Sequence, residues 1–161
     1  MGDRHFGRLR QQYGDPVAAR QPGGGERVAG GGNGVRERRV DRGQRDLLRG
    51  LRDRARQFDL VLLDPPKLAA TERQVDKASR AYKDLNLLAA KLLAPGGRLM
   101  TWSCSGAVGL ELFKKIVAGA ALDAHRDLHV VGHFHQPSDH PVPLSFPEAE
   151  YLKGLHLLAA D

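Results

Sequence analysis

Two short runs in this sequence hold side chains able to bond to carbon or to move a proton: Asp64-Pro65-Pro66-Lys67 and Ser103-Cys104-Ser105. Cys104 is the single cysteine among the 161 residues. A thiolate is a competent carbon nucleophile even as a minor species at neutral pH, and Ser103 and Ser105 are placed to give it polar support. An isolated cysteine at the end of an apolar strand also reads as a small buried hydrophobe, and spacing does not choose between the two. In the other run, two successive prolines lack N–H donors and fix their own φ angles. Their carbonyl oxygens therefore stand rigidly beside the Asp64 carboxylate, a set of acceptors suited to an amino group. The same tripeptide also reads as a turn that ends a strand.

The pattern around these runs is that of a layered α/β sheet. Phe58–Leu63 is a nearly continuous apolar run, as in a parallel strand covered on both faces, and it ends at Asp64. Thr71 or a neighbour opens a helix to about Leu93, with Ala78, Leu85, Leu88, Ala89 and Leu92 at helical spacing, and Pro95-Gly96-Gly97 stops it. A second strand, Arg98 to Ser103, leads to Cys104. A helix from Glu111 to Ala124, a strand Leu128–Phe134, a proline-rich loop and an alternating run from Tyr151 to Leu158 complete the order. The last two strands have no helix between them, which predicts an antiparallel pair. Ahead of all these, Leu47, Leu48, Leu51 and Ala55 form the stripe of a short helix from Asp46. Ligands of open α/β sheets sit beyond the carboxyl ends of the strands, so neighbouring strands would bring Asp64 and Cys104 to one crevice.

Composition divides the chain. Residues 1–45 hold 10 Arg, no Lys, 5 acidic residues and 11 Gly, whereas residues 46–161 hold 15 basic and 14 acidic residues. Nearly all of the formal net charge of +6 therefore lies in the first segment, which has no sustained apolar period and is expected to be disordered. The longest strongly apolar run of the remainder, Leu60-Val61-Leu62-Leu63, is far short of the roughly 20 residues that cross a bilayer. One cysteine and a polar start (Met1-Gly2-Asp3-Arg4-His5) favour the cytoplasm over secretion. His133, His135 and His140 lack a convincing fourth ligand, so no metal is expected. Tyr82, Lys83, Asp84 and Asn86 read either as an exposed polar helix face or as an RNA- or cofactor-facing set.

From about Asp46 to Leu158 the chain resembles the bacterial 23S ribosomal RNA large-subunit methyltransferase I family, over the C-terminal half of its catalytic domain. The resemblance is carried by Phe58 to Lys67, Arg80-Ala81-Tyr82-Lys83-Asp84-Leu85-Asn86, Ser103-Cys104-Ser105-Gly106, Asp139-His140-Pro141, and Pro147-Glu148 with Tyr151-Leu152-Lys153-Gly154. Five blocks in order are far more specific than one tetrapeptide. The resemblance implies a Rossmann-like class I fold, S-adenosylmethionine as methyl donor, ribosomal RNA as substrate and 5-methylcytosine as product. It implies Cys104 as the nucleophile that adds to C6 of the base, and Asp64 with the Pro65 carbonyl as the holder of the N3/N4 edge and a neighbour of the donor. It further implies Pro65, Pro66, Lys67, Ser103 and Ser105 as substrate-binding residues, and a homodimer as the family's assembly. Methyltransferases acting on exocyclic amines usually place an aromatic residue where Lys67 stands, which makes that chemistry the alternative reading. A non-catalytic remnant or RNA-binding protein is the other.

The resemblance stops short of a whole enzyme. The glycines at 23–34 have neither a preceding apolar strand nor a following helix, so no donor-gripping loop is recognisable. What remains corresponds to strands four to seven of the family's sheet, in the spatial order 4-5-7-6. The Phe58–Leu63 strand would then be an exposed apolar edge, and the isolated chain would be poorly stable. Residues 1–45 read as translation of a GC-rich gene in a shifted frame, the alternative being an Arg/Gly-rich RNA-binding tail. The coding DNA tests this: the idea fails if no other upstream frame encodes a glycine motif behind an apolar strand.

Overall fold

The structure, a computed structural model, describes residues 17–21, 24–29 and 37–160, with side chains from Gly43 onward. Six strands form one sheet: β1 (Val17–Gln21), β2 (Gly24–Ala29), β3 (Phe58–Leu63), β4 (Leu93–Ser103), β5 (Leu128–Phe134) and β6 (Lys153–Ala159), in the order β2-β1-β3-β4-β6-β5. Among the described residues three α-helices accompany it, α1 (Glu37–Asp53), α2 (Val75–Lys91) and α3 (Leu110–Ala124). The four C-terminal strands take the spatial order expected of them. β3 and β4 are parallel, whereas β6 runs antiparallel to both β4 and β5.

Alternation along the strands places one face of the sheet in the core. Val61 and Leu63 of β3, Leu99 of β4, and Leu155 and Leu157 of β6 pack with Tyr82, Leu85, Leu88 and Ala89 of α2 and with Phe113, Ile116 and Val117 of α3. Each such side chain removed from water contributes on the order of 2 kcal/mol before entropy is set against it. The other parity (Leu62, Met100, Trp102, His156 and Leu158) is half-buried, and there Trp102 stacks on Phe134 with ring centroids 5.2 Å apart. Arg126 ties α2 to β4 by donating to the carbonyls of Ala90, Leu93 and Ala94.

Several expectations change. Within residues 1–45 the described residues include β1, β2 and the start of α1, which begins at Glu37 rather than Asp46. Nor is β3 an open edge, because β1 pairs with it antiparallel from Val17 opposite Leu63 to Arg20 opposite Leu60. An added edge strand is held by backbone hydrogen bonds, which need no side-chain period. Ala55 is not on the α1 stripe; it lies beyond the helix at φ 50°, exposed, with its N–H donated to the Arg52 carbonyl. Pro95-Gly96-Gly97 does not stop a helix either. α2 ends at Lys91, and these residues form an irregularity within β4, where Gly96 has φ 69° and Gly97 leaves no room for a Cβ, which would lie 2.8 Å from the Ala94 oxygen.

Candidate active site

Parallel pairing of β3 with β4, with Leu63 opposite Thr101, brings the carboxyl ends of both strands to the same side of the sheet. Asp64 follows one strand and Cys104 the other, so both residues lie at the same end of the sheet. Asp64 is half-buried, accepts no hydrogen bond among the described residues, and is pushed up to about 6 by that burial. Cys104 is 5% exposed, and its thiol is pushed up to about 11, first by burial and then by the Asp64 charge, against the pull of Lys67 and Lys153. At neutral pH the site therefore pairs a protonated thiol with a carboxylate that gains a proton only a unit or so below neutrality. A buried carboxylate without donors is in want of an N–H or a proton from a ligand.

Around the pair, hydrogen bonds fix the two loops to one another. Ser105 Oγ accepts the backbone N–H groups of Leu68 at 3.1 Å and Ala69 at 3.0 Å, and lies 2.9 Å from the Tyr82 hydroxyl. With both lone pairs engaged, the Ser105 proton is directed to Tyr82. Ser103 Oγ donates to the same Tyr82 oxygen at 3.0 Å and accepts the Ser105 N–H at 3.3 Å. Ser103 and Ser105 are fully buried, with their hydroxyls turned to protein groups. The physical reason is parity: Ser103 lies on the core face with Leu99 and Thr101. Pro65 is buried, Pro66 is half-buried, and Lys67 is exposed.

Tyr82 and Asn86 are buried rather than on an exposed polar face. Asn86 donates to the Tyr82 carbonyl at 2.9 Å, while Lys83 pairs with Asp123 and Asp84 with Arg45. Spacing carried the signal, since Ala78, Tyr82, Leu85 and Ala89 share one helical stripe. Lys153 was not singled out as a site residue, and it is buried with its Nζ on the carbonyls of Ser105 and Val108. Its two-residue period with Leu155 and Leu157 marked it as core-facing. Among the described residues no group of three or more His, Cys, Asp and Glu side chains could hold a metal ion, and no helix is long and apolar enough to cross a membrane.

No family model matches the chain. Curated proteins do, and they agree with one another. The chain is 53% identical over 109 residues to a protein of Shewanella frigidimarina, 49% over 126 residues to one of Shewanella denitrificans, and 53% over 108 residues to one of Vibrio cholerae. The likeness is to ribosomal RNA large subunit methyltransferase I. It takes in 68%, 76% and 67% of this chain but only 28%, 32% and 27% of those methyltransferases, respectively. The chain thus spans less than a third of the length of the ribosomal RNA large subunit methyltransferase I proteins it matches. Among solved structures, SMU.776, described as a methyltransferase and complexed with SAH, superposes with a TM-score of 0.57 at 20% identity over 70% of this chain and 29% of its own. A Streptococcus mutans protein described as a SAM-dependent methyltransferase gives the same TM-score at 18% identity, over 70% of this chain and 28% of its own. The solved structures establish the fold: part of a Rossmann-like α/β domain of the kind those proteins have.

Proposed function

We propose that residues 46–161 are the catalytic-loop half of an S-adenosylmethionine-dependent methyltransferase that modifies C5 of a cytosine in ribosomal RNA, with Cys104 as the covalent nucleophile. The residues ahead of the stretch matched by the curated relatives are assigned, on the same reading, to a shifted reading frame. The observation that carries the proposal is the donorless, half-buried Asp64 carboxylate at the end of β3, electrostatically coupled to the Cys104 thiol at the end of the neighbouring strand. The residues present fit one end of the donor and the edge of the base: a carboxylate and the Pro65 carbonyl suit N–H groups, and the exposed Lys67 suits a phosphate. A glycine-rich turn between a strand and a helix is not among the described residues. When bound, S-adenosylmethionine supplies an electrophilic methyl group.

In this reading Cys104 Sγ adds to C6 of the cytosine as the thiol proton is given up and N3 becomes protonated. Asp64 holds that N3 proton and the N4 amino group while charge develops on the ring. C5, now electron-rich, would take the methyl group as the donor's sulfonium becomes a neutral thioether; the C5 proton would then pass to water as the C6–Sγ bond breaks, and the N3 proton would return to Cys104, restoring the aromatic ring and the thiol. Lys67 in place of an aromatic residue, exposed to solvent, weighs against methylation of an exocyclic amine. An RNA substrate of this kind puts the reaction in the cytoplasm, and a homodimer is the assembly to look for.

The decisive experiment uses 23S RNA carrying 5-fluorocytosine, whose C5 fluorine blocks the final elimination. The 161-residue chain with S-adenosylmethionine is expected to form an adduct that survives denaturing electrophoresis and is absent in Cys104→Ala. An adduct that persists in Cys104→Ala removes Cys104 from the role. Absence of donor binding by calorimetry would remove autonomous catalysis by this chain.

A further inference from the structure

Lys153 opens β6 and is 8% exposed, at the head of the face that carries Leu155, Leu157 and Ala159. An ammonium drawn out of water must find acceptors. Nζ donates to the Ser105 carbonyl at 2.6 Å and to the Val108 carbonyl at 2.5 Å. Those carbonyls bracket the turn that follows Cys104, which is itself closed by the Val108 N–H on the Ser105 carbonyl at 3.0 Å. No carboxylate pairs with Lys153 among the described residues. An apolar strand position thus holds a cation bound only to neutral carbonyls, beside a turn whose preceding residue becomes an anion when it reacts.

We propose that Lys153 is a positioning residue for Cys104: it fixes the thiol-bearing turn through two carbonyls, and its buried positive charge offsets the thiolate as that forms. The inference rests on the reading of Cys104 as the nucleophile. The other charged or titratable groups acting on the thiol are Asp64 and Lys67, from the loop after β3, and Tyr82, from α2. Asp64 opposes the thiolate and Lys67 favours it, but Lys67 is exposed and its charge is screened by water. Burial lowers Lys153 to about 8, while Cys104 opposes that shift, so each charge favours the other. Above about pH 8 the ammonium loses its proton and its support for the thiolate is withdrawn.

The test is alkylation of the 161-residue chain by iodoacetamide, in which the thiolate sulfur displaces iodide; with one cysteine, every event reports Cys104. In the unaltered chain the logarithm of the rate is expected to rise with pH at a slope that drops below one as Lys153 titrates near pH 8. Lys153→Met is expected to react about tenfold more slowly at neutral pH, with unit slope above about pH 7, where Asp64 is ionised, whereas Lys153→Arg keeps a charge that does not titrate, retains the rate within about threefold, and loses the bend near pH 8. A unit slope in the unaltered chain overturns the proposal. So does an unchanged rate in a Lys153→Met protein whose circular dichroism and melting match the parent. Where Lys153→Met does not fold, the profiles of the unaltered chain and Lys153→Arg decide. The probe needs neither RNA nor methyl donor, so failure here is separable from failure of the fluorocytosine adduct.

Discussion

Ser105 Oγ and Tyr82 Oη lie 2.9 Å apart, both fully buried, and so join the turn after β4 to the middle of α2. Through the same Ser105 oxygen the loop that begins at Asp64 is also fastened, by the N–H groups of Leu68 and Ala69. The residue next to the candidate nucleophile is therefore the hub of the site. Cys104 and Asp64 are held in register by hydrogen bonds that neither of them makes.

Tyr82→Phe removes the oxygen that takes the Ser103 and Ser105 protons while keeping the ring packed edge-on to Phe113. Buried hydroxyls deprived of a partner cost about 1–3 kcal/mol. The unfolding free energy from urea titration is expected to fall by that amount, as a lower midpoint with an unchanged slope. An unshifted midpoint would show that the hydroxyl contributes nothing to stability.

Ser105→Ala is expected to cost more, on the order of 2–4 kcal/mol, because it strands two backbone N–H groups as well as the Tyr82 hydroxyl. Amide hydrogen exchange at Leu68 and Ala69 should accelerate relative to the β4 core. Equal protection at those two amides in parent and variant would mean that Ser105 does not hold the loop.

Asp64 gives the chain an unusual dependence on pH. Its folded value of about 6 lies above the ordinary 3.8, so between those values the folded chain binds more protons than the unfolded one. The contribution of this group is greatest below about pH 3.8, falls as pH rises through 6, and is level above; the ionised form costs on the order of 3 kcal/mol. Asp64→Asn is therefore expected to be more stable than the parent at pH 7.5 by about 1–3 kcal/mol, with the gap closing toward pH 4, and to lose the fluorocytosine adduct. Paired denaturation curves at the two pH values decide it, and a gap that does not depend on pH contradicts the assignment.

Gly154 faces Trp102 across β6 and β4, and a Cβ there would lie 2.5 Å from Trp102 Cδ1 and 3.0 Å from the Thr101 carbonyl. Gly154→Ala must displace the indole from its stack on Phe134 and is expected to cost about 1–3 kcal/mol. Trp102 is the single tryptophan, so its fluorescence reports the shift directly. An unaltered emission maximum would mean that the ring is not confined there.

The sequence by itself determined the strands that carry the chemistry and the shared end of the sheet at which Asp64 and Cys104 lie, while the order of the last four strands was implied by the family resemblance. A six-residue apolar run ending in Asp-Pro-Pro, and a second strand ending in Ser-Cys-Ser, are local patterns, and parallel strands joined by a helix must point their ends the same way. Tertiary structure alone decided what those residues do to one another. The partners of Ser105 lie 36, 37 and 23 positions away, and the pairing of β1 with β3 is written in backbone groups that every residue carries. The core-facing parity of Lys153 was legible, but its acceptors were not. A buried cation's meaning depends on which carbonyls the folded chain turns toward it, and those are chosen by packing across the whole sheet rather than by any spacing along the chain.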